Sequence, residues 1–239
     1  MRLKSALALC RVSNLPTVWM NVITAAVLVG SAHQQPVSWL LVAMLALAMS
    51  AFYCAGMSLN DLCDYQWDKQ HQPYRPLVQG KLSLAQAKAI TLGLFVLGFA
   101  LLALAPSYAG LLCALALFVV IYAYNLFHKQ HSSSVFLMAA ARALVFIVTA
   151  QAIVGELPLW VIVAAALQFI YTLCLTLVGR HESKRGRPYS GPVIPRMIAG
   201  MAILDGMVLA LLLSAPGWLL LGAAMALLTR LGQRFVRGD

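Results

Sequence analysis

The sequence predicts an all-α integral membrane protein, a bundle of about eight transmembrane helices. Of its 239 residues, 62% are hydrophobic and only 10% are charged, whereas charged residues make up about 25% of a typical soluble domain. The mean hydropathy is +0.85. Apolar stretches long enough to cross about 30 Å of hydrocarbon recur along the whole chain. These stretches lie at 16–32, 39–60, 83–104, 109–127, 134–154, 158–179, 193–213 and 217–235.

The helices are expected to form one domain, 1–239. No Gly/Ser linker or low-complexity segment separates the apolar stretches. A ninth helix, giving eight to nine in all, would require one stretch to be split in two. Residues 1–14 are basic and mildly amphipathic, and Arg11 interrupts their short apolar run. We expect this segment to be an interfacial helix that is retained, because a cleaved signal has a longer apolar region.

The positive charge is distributed by membrane topology. The formal net charge is +10, and sixteen of the seventeen Lys and Arg residues flank the termini or the even-numbered connections between the predicted helices. The odd-numbered connections contain no Lys or Arg. The positive-inside rule therefore predicts an inner-membrane protein of bacterial type whose termini and active-site loops are cytoplasmic. Because membrane topology accounts for the positive charge, nucleic acid is not expected as a partner.

Other site patterns give little indication of function. The five cysteines include no CxxC pair, which argues against a zinc site or a disulfide framework. His128 and His131 in HKQH lack further metal ligands nearby in the sequence and are expected to lie in a solvated loop. A CDP-alcohol phosphotransferase would need a DGxxAR signature, but LDG at 204–206 continues as MVLALL.

Acidic residues are concentrated in one segment, NDLCDYQWDKQHQPYRP at 60–76. Only seven acidic residues occur in the chain, and three of them fall within nine positions beside an apolar stretch. At about 100° per residue, the oxygen-bearing side chains share one helical arc about 100° wide and about 12 Å long. They are Asn60, Asp61, Asp64 and Asp68.

Such a stripe requires cations. Carboxylates at i and i+4 destabilise a helix, and burial increases the cost. Hard oxygen ligands suit Mg²⁺, which commonly binds one or two carboxylates together with substrate phosphates. We expect Asp64 and Asp68 to hold the metal, with Asn60 completing the site and Asp61 at its edge. Arg75 follows as a bidentate phosphate partner. The alternative is a solvated helix end that happens to be acidic.

Three motifs resemble the UbiA superfamily of intramembrane prenyltransferases. NxxxDxxxD at 60–68 followed by YRPLVQG resembles the family's first signature. SNLPTVWMNV, which contains Asn21, resembles the family's opening, and YAYNLFHK, which contains Tyr122, Tyr124 and Lys129, resembles the loop after helix 4. The resemblance extends from Asn14 to about residue 187.

This resemblance implies a UbiA-like helical bundle around a central cavity, where Mg²⁺ held by aspartates binds a prenyl diphosphate. A carbocation-like prenyl group would then be transferred to a small acceptor within the membrane. The implied catalytic residues are Asp64, Asp68, Arg75 and Lys129. Asn21 and Asp61 would contact substrate, and Tyr122 and Tyr124 would either stabilise the cationic carbon or serve as interfacial anchors.

The connection after helix 6 departs from the family pattern. Family members carry a second aspartate-rich motif there, but this chain reads LTLVGRHESKRGRPYSGP, with Glu182 as its one acid. Five basic side chains in this connection are expected to bind an anion directly, namely Arg180, His181, Lys184, Arg185 and Arg187. The alternative is a basic loop that only determines topology. This loop and AAARAL in helix 5 suggest a divergent, EboC-like branch.

Two opposite charges are predicted inside the bundle. Arg142 and Asp205 lie about 8 and 12 residues from the cytoplasmic starts of their helices, or roughly 12 and 18 Å deep. A charge at such depth costs about 2.5–3.5 kcal/mol on insertion scales. We therefore expect the two side chains to meet, either as a structural ion pair or as a pair that binds acceptor or diphosphate.

Two functions are consistent with these features. The first is a Mg²⁺-dependent prenyltransferase whose partners are a prenyl diphosphate, a small-molecule acceptor and the lipid bilayer. The second is a UbiA-fold protein that binds or carries an isoprenoid lipid without transfer. The depleted second motif favours the second function.

Overall fold

In a computed structural model, which describes residues 3–186 and 189–236, the chain is all-helical and confirms the predicted fold class. A single 3₁₀ turn, Val12–Asn14, accompanies ten α-helices in these residues. The helices are α1 (Leu3–Leu9), α2 (Leu15–Ala32), α3 (Trp39–Cys63), α4 (Tyr65–His71), α5 (Leu84–Ala103), α6 (Ala109–Phe127), α7 (Ser134–Val154), α8 (Leu159–Arg185), α9 (Val193–Leu212) and α10 (Gly217–Phe235).

Seven helices in the described part of the chain are long and apolar enough to cross a membrane. They are α2 with its preceding turn, α3, and α5 to α9. The eighth predicted stretch is also a helix, α10, which is 19 residues long, the same length as α6. It is not among the seven, because Arg230, Gln233 and Arg234 make its last two turns polar. The chain is therefore an integral membrane protein.

Helices α2 and α7 form the centre of the bundle. Both contribute side chains to two apolar clusters, one shared with α3, α5 and α6 and one shared with α8, α9 and α10. Phe52 lies in the first cluster, with its ring edge-on to Phe95 and Phe99 at 5.8 and 4.9 Å, and Phe146 is fully buried in the second. Polar side chains on the central helices consequently face protein rather than lipid.

Small residues let the helices approach closely. A methyl group added at Gly110 would lie 2.5 Å from Ala152 on α7, and one added at Gly206 would lie 3.1 Å from the Cα atom of Gly222 on α10. In a bilayer, where lipid tails are as apolar as leucine, association depends on such close packing. These contacts fix α6 against α7 and α9 against α10.

Contacts at the two ends of the bundle confirm an alternating path. At one end, the His33 ring lies 3.2 Å from the Glu156 carboxylate, joining the α2–α3 and α7–α8 connections. At the other end, Gln233 donates a 3.1 Å hydrogen bond to the side-chain oxygen of Asn14. The acidic segment and both ends of the described chain therefore lie at the end of the bundle opposite His33.

Candidate active site

The acidic segment begins in α3 and continues into α4. The predicted single helix is interrupted at Asp64, which separates the two helices. The backbone N–H groups of Asp64 and Asp68 nevertheless donate to the carbonyls four residues earlier, at 2.9 and 2.8 Å. The interruption therefore preserves the helical phase of the stripe. All four of its side chains, including Asn60 and Asp61, are buried.

Asp64 contacts two side chains from the connection after α6. Lys129 Nζ lies 2.9 Å from one carboxylate oxygen, and His128 Nε2 lies 3.1 Å from the other. Burial raises the pKa of Asp64, but these hydrogen bonds and charges outweigh burial and lower its pKa below the usual value. Lys129 also lies 3.9 Å from the centre of the Trp67 ring. Lys129, which the resemblance to the family implies is catalytic, thus lies beside the acidic segment.

His128 corrects the interpretation of HKQH as a solvated loop. Its ring contacts Asp64 and stacks on Tyr124, with 5.0 Å between ring centres, whereas His131 is exposed. Tyr122, two residues before Tyr124, is 48% exposed and stacks on Phe118. Of the two tyrosines, the described structure therefore brings only Tyr124 next to the acidic site, since Tyr122 faces outwards.

Two arginines converge on Asp61. Arg75 donates to the Asp61 carboxylate, and Arg11 Nη2 lies 3.3 Å from the same oxygen. Arg11 also donates to the side-chain oxygen of Asn60 at 3.4 Å, and Arg75 donates to Gln72 at 2.7 Å. Asp61 thus holds both guanidinium groups beside the stripe, which is a more central position than the edge predicted for it.

Asp68 has an unused ligand atom. Its carboxylate is almost fully buried, with Arg75 Nε 3.7 Å from one oxygen. The other oxygen, Oδ1, is buried without a hydrogen-bond partner. Burial raises the pKa of Asp68, and the charge of Arg75 opposes this increase. A buried carboxylate oxygen without a donor is a potential ligand for a cation.

The predicted metal ligands match Mg²⁺ by chemistry. Asn60, Asp64 and Asp68 supply amide and carboxylate oxygens, which Mg²⁺ prefers, and the free Oδ1 of Asp68 faces no competing donor. However, no three His, Cys, Asp or Glu side chains within residues 3–186 and 189–236 are grouped as a ready metal site. Both oxygens of Asp64 contact His128 and Lys129 instead. Binding a metal at Asp64 would require the side chains of His128 and Lys129 to move.

The basic residues from 180 to 185, which were predicted to form an anion-binding connection, lie in the last turns of α8, which extends to Arg185, so this segment is helix rather than a loop. Arg180 donates to the backbone carbonyl of Ser132, to the Ser134 hydroxyl at 2.6 Å and to the His128 carbonyl at 3.4 Å. Its guanidinium group therefore fastens the segment that carries His128 and Lys129.

The other described residues of this basic segment, 181–186, are mostly exposed. Glu182 accepts a 2.8 Å hydrogen bond from the backbone N–H of Tyr189. Lys184 is exposed. Arg187, the last of the five basic residues predicted to bind an anion, lies outside the described residues.

The predicted pair of interior charges is not a direct ion pair. Arg142 donates to the Thr17 hydroxyl and lies 3.2 Å from the Met201 sulfur. Asp205 accepts hydrogen bonds from Asn21 at 2.6 Å and from Gln168 at 2.8 Å. Thr17 and Asn21 are one turn apart on α2, so this helix links the two charges. Neutral donors on α2 and α8 satisfy Asp205 in place of the arginine.

Several contacts were not predicted because the partners are distant in sequence. Arg11 is 50 residues from Asp61, His128 is 64 residues from Asp64, and Gln168 is 37 residues from Asp205. Gln168 and Asp205 are isolated interruptions of apolar regions. Such interruptions indicate an inward-facing side chain but do not identify its partner.

Comparisons with known proteins agree with this architecture. The model of the UbiA prenyltransferase family matches residues 21–237. A digeranylgeranylglyceryl phosphate synthase of Saccharolobus solfataricus is 33% identical over 122 residues, which cover 51% of this chain and 42% of that protein. The corresponding synthase of Sulfurisphaera tokodaii is 31% identical over 106 residues, covering 43% and 38% of the two chains. The matched segments thus span less than half of these relatives.

Solved structures share the whole fold. A UbiA homolog from Archaeoglobus fulgidus bound to GPP and Mg²⁺ superposes with a TM-score of 0.62 at 15% identity, covering 97% of both chains. A digeranylgeranylglyceryl phosphate synthase structure gives a TM-score of 0.61 at 18% identity, covering 98% of this chain and 95% of the other. Since the family model also covers most of the sequence, the chain belongs to the UbiA prenyltransferase family.

Proposed function

We propose that this protein transfers an isoprenoid group from a prenyl diphosphate to a small acceptor within the membrane, in a Mg²⁺-dependent reaction. The observation that carries the proposal is the buried stripe from Asn60 to Asp68, surrounded by cationic side chains at the end of an apolar bundle. A family homolog bound to GPP and Mg²⁺ supports the donor and the metal. Relatives named for a glyceryl phosphate product support an acceptor that carries phosphate.

The chemistry requires charge neutralisation rather than a nucleophilic side chain. Breaking the allylic carbon–oxygen bond leaves diphosphate as an anion, so catalysis depends on stabilising the charge that develops there. Asn60, Asp64 and Asp68 would hold Mg²⁺, which supplies Lewis-acid stabilisation of the diphosphate when bound. Arg75 and Lys129 lie beside these carboxylates, where they would bind the remaining phosphate oxygens.

The contact between Lys129 and Asp64 suggests that Lys129 changes its partner when the metal and the prenyl diphosphate bind. Lys129 neutralises Asp64 in the structure and the His128 ring contacts it, which lowers the cost of keeping buried carboxylates together. With Asp64 among the residues that would hold Mg²⁺, Lys129 would bind the diphosphate. Tyr124, stacked on His128, would present its ring to the cationic prenyl carbon.

Orientation and branch are further parts of the proposal. We place the acidic end in the cytoplasm, because the basic residues of the described chain are concentrated at that end. The proposal that the protein belongs to an EboC-like branch rests only on the basic residues from 180 to 187 and on Arg142. The two relatives described above are instead named as digeranylgeranylglyceryl phosphate synthases.

The proposal is tested by identifying a product. Purified protein in neutral detergent is incubated with labelled geranyl, farnesyl and geranylgeranyl diphosphates, Mg²⁺ and a lipid extract. We expect diphosphate release coupled to label transfer, both lost in EDTA. The alternative, a carrier of isoprenoid lipid, is favoured by the depleted second aspartate motif, in which Glu182 is the one acid. That function predicts tight donor binding without diphosphate release.

Arg180 provides a second test, because its contacts indicate positioning rather than phosphate binding. Arg180→Ala should lower kcat about tenfold by loosening the segment around His128, with little change in the donor KM. The effect should not increase at low salt, because the lost contacts are hydrogen bonds within the protein. The matched control is Arg185→Ala on the exposed end of the same helix. A rise in KM that grows at low salt would instead identify Arg180 as a phosphate ligand.

A further inference from the structure

A cavity of about 300 Å³ lies between the two ends of the described chain, beside Asp61. Lys4 and Ser5 of α1 form one side, the connection after α4 forms a second side with Lys81, and Phe235 at the end of α10 forms a third. This cavity is outside the contacts of Asp64 with His128 and Lys129. Two of the segments that build it, α1 and the end of α10, are the first and last described helices.

Packing fixes the shape of this cavity. Leu9, at the end of α1, is fully buried against Leu77 and Leu82 from the connection after α4. Gly80 turns that connection with a φ of 66°, a conformation that side-chain-bearing residues rarely adopt. The Lys81 N–H closes the turn on the Pro76 carbonyl at 3.0 Å. Lys81 is therefore held at the rim by an ordered turn rather than by a free loop.

The lining carries an excess of positive charge. It includes four basic side chains and one carboxylate, and that carboxylate, Asp61, already binds both Arg11 and Arg75. Lys4 and Lys81 are exposed and form no ion pair with any described residue. Two lysines on opposite sides of a concave site, with guanidinium groups behind them, attract an anion.

Apolar side chains lie at and near the same cavity. Phe235, which lines it, is 77% exposed, and Leu3, next to the lining residue Lys4 on α1, is 70% exposed. Apolar side chains interspersed with lysines are typical of a surface that lies in the lipid head-group region. The opening is therefore positioned to receive a molecule that is partly charged and partly apolar.

From these features we propose that this cavity binds the phosphate-bearing head group of a lipid. Lys4 and Lys81 contact the phosphate from opposite sides, and the buried Ser5 hydroxyl and the Gln79 side chain are available to neighbouring hydroxyls or esters. The lipid chain lies along Phe235. A volume of about 300 Å³ accommodates a phosphate with a glycerol-sized group. Two sources have this chemistry: a bilayer phospholipid and a phosphorylated lipid acceptor.

Native mass spectrometry of the full chain in neutral maltoside micelles tests the proposal without donor or Mg²⁺, so the result is independent of transfer activity. Three lipids are titrated: dioleoyl phosphatidylglycerol, a monoalkyl glyceryl phosphate, and dioleoylglycerol, which lacks phosphate. We expect at least one phosphate-bearing lipid to bind about tenfold or more tightly than dioleoylglycerol. Lys4→Ala combined with Lys81→Ala should weaken that binding about 30-fold.

The control variant is Lys88→Ala, an exposed lysine on α5 outside the cavity lining, which should bind lipid as the unmodified protein does. Unchanged thermal unfolding shows that the double variant is folded, as expected for two exposed side chains. Tighter binding of the phosphatidylglycerol identifies a bilayer lipid site, whereas tighter binding of the monoalkyl phosphate identifies an acceptor site. The proposal is overturned if dioleoylglycerol binds as tightly as both phosphate-bearing lipids, or if the double substitution does not weaken the binding of those lipids.

Discussion

Asp64→Ala is expected to lower Mg²⁺-dependent prenyl transfer by at least about a thousandfold, and Asp68→Ala should have an effect of similar size. Both carboxylates are buried in the stripe, and Oδ1 of Asp68 has no other partner. The measurement is diphosphate release by purified variants at saturating donor and Mg²⁺. Protein yield and thermal unfolding should change little for Asp68→Ala, because removing a buried carboxylate also removes its desolvation cost.

Asp61→Asn is the comparison within the stripe. The amide keeps the shape of the side chain and one acceptor for Arg11 or Arg75, so activity should fall by less than for Asp64→Ala. Near-normal turnover by either the Asp64 or the Asp68 variant would show that the metal is held elsewhere. An equal loss in all three variants would show that the whole stripe acts as a unit.

The second large effect concerns the interior polar groups. Asp205→Leu should destabilise the protein by about 3 kcal/mol, because it leaves the Asn21 and Gln168 amides without their acceptor and Arg142 without the nearest interior carboxylate. Arg142→Met should also destabilise the protein. Since the two charges bind different partners, the combined variant should show a loss close to the sum of the two. Their coupling energy should be below about 1 kcal/mol.

Unfolding in mixed micelles with increasing denaturing detergent measures this double-mutant cycle. A stable double variant with a coupling energy near 3 kcal/mol would show that Arg142 and Asp205 form a true ion pair. Asp205→Asn serves as the matched control, because it removes the charge and keeps one acceptor oxygen. It should cost less than Asp205→Leu. Activity measured on folded variants separates a structural role from binding of acceptor or diphosphate.

The sequence predicts the parts of this fold that depend on local patterns. Apolar length identified all eight long helices, and the four-residue spacing of Asn60, Asp64 and Asp68 predicted a shared buried face. It did not predict the interruption at Asp64. Alternation of the basic connections predicted which loops lie at the same end, and the His33–Glu156 contact agrees with it.

The sequence did not predict how each helix is rotated about its own axis. In a membrane, the lipid-facing and protein-facing sides of a helix are both apolar, so hydrophobic periodicity is a weak guide to orientation. Counting residues gave the depth of Arg142 and Asp205 but could not show that Thr17 and Gln168 would supply their hydrogen bonds. For the same reason Arg180 was predicted to bind phosphate, although the carbonyls it contacts lie in the connection after α6. Main-chain acceptors leave no signal in the sequence.

The central claim is that the buried acidic stripe binds prenyl diphosphate through Mg²⁺. The most direct test is equilibrium binding of a labelled, non-hydrolysable geranyl thiodiphosphate to the purified protein, with Mg²⁺ or with EDTA, using the unmodified chain and Asp68→Asn. We predict about one bound ligand per chain in Mg²⁺, and a loss of at least tenfold in affinity both in EDTA and in the variant. Binding of equal strength under all these conditions would contradict the account.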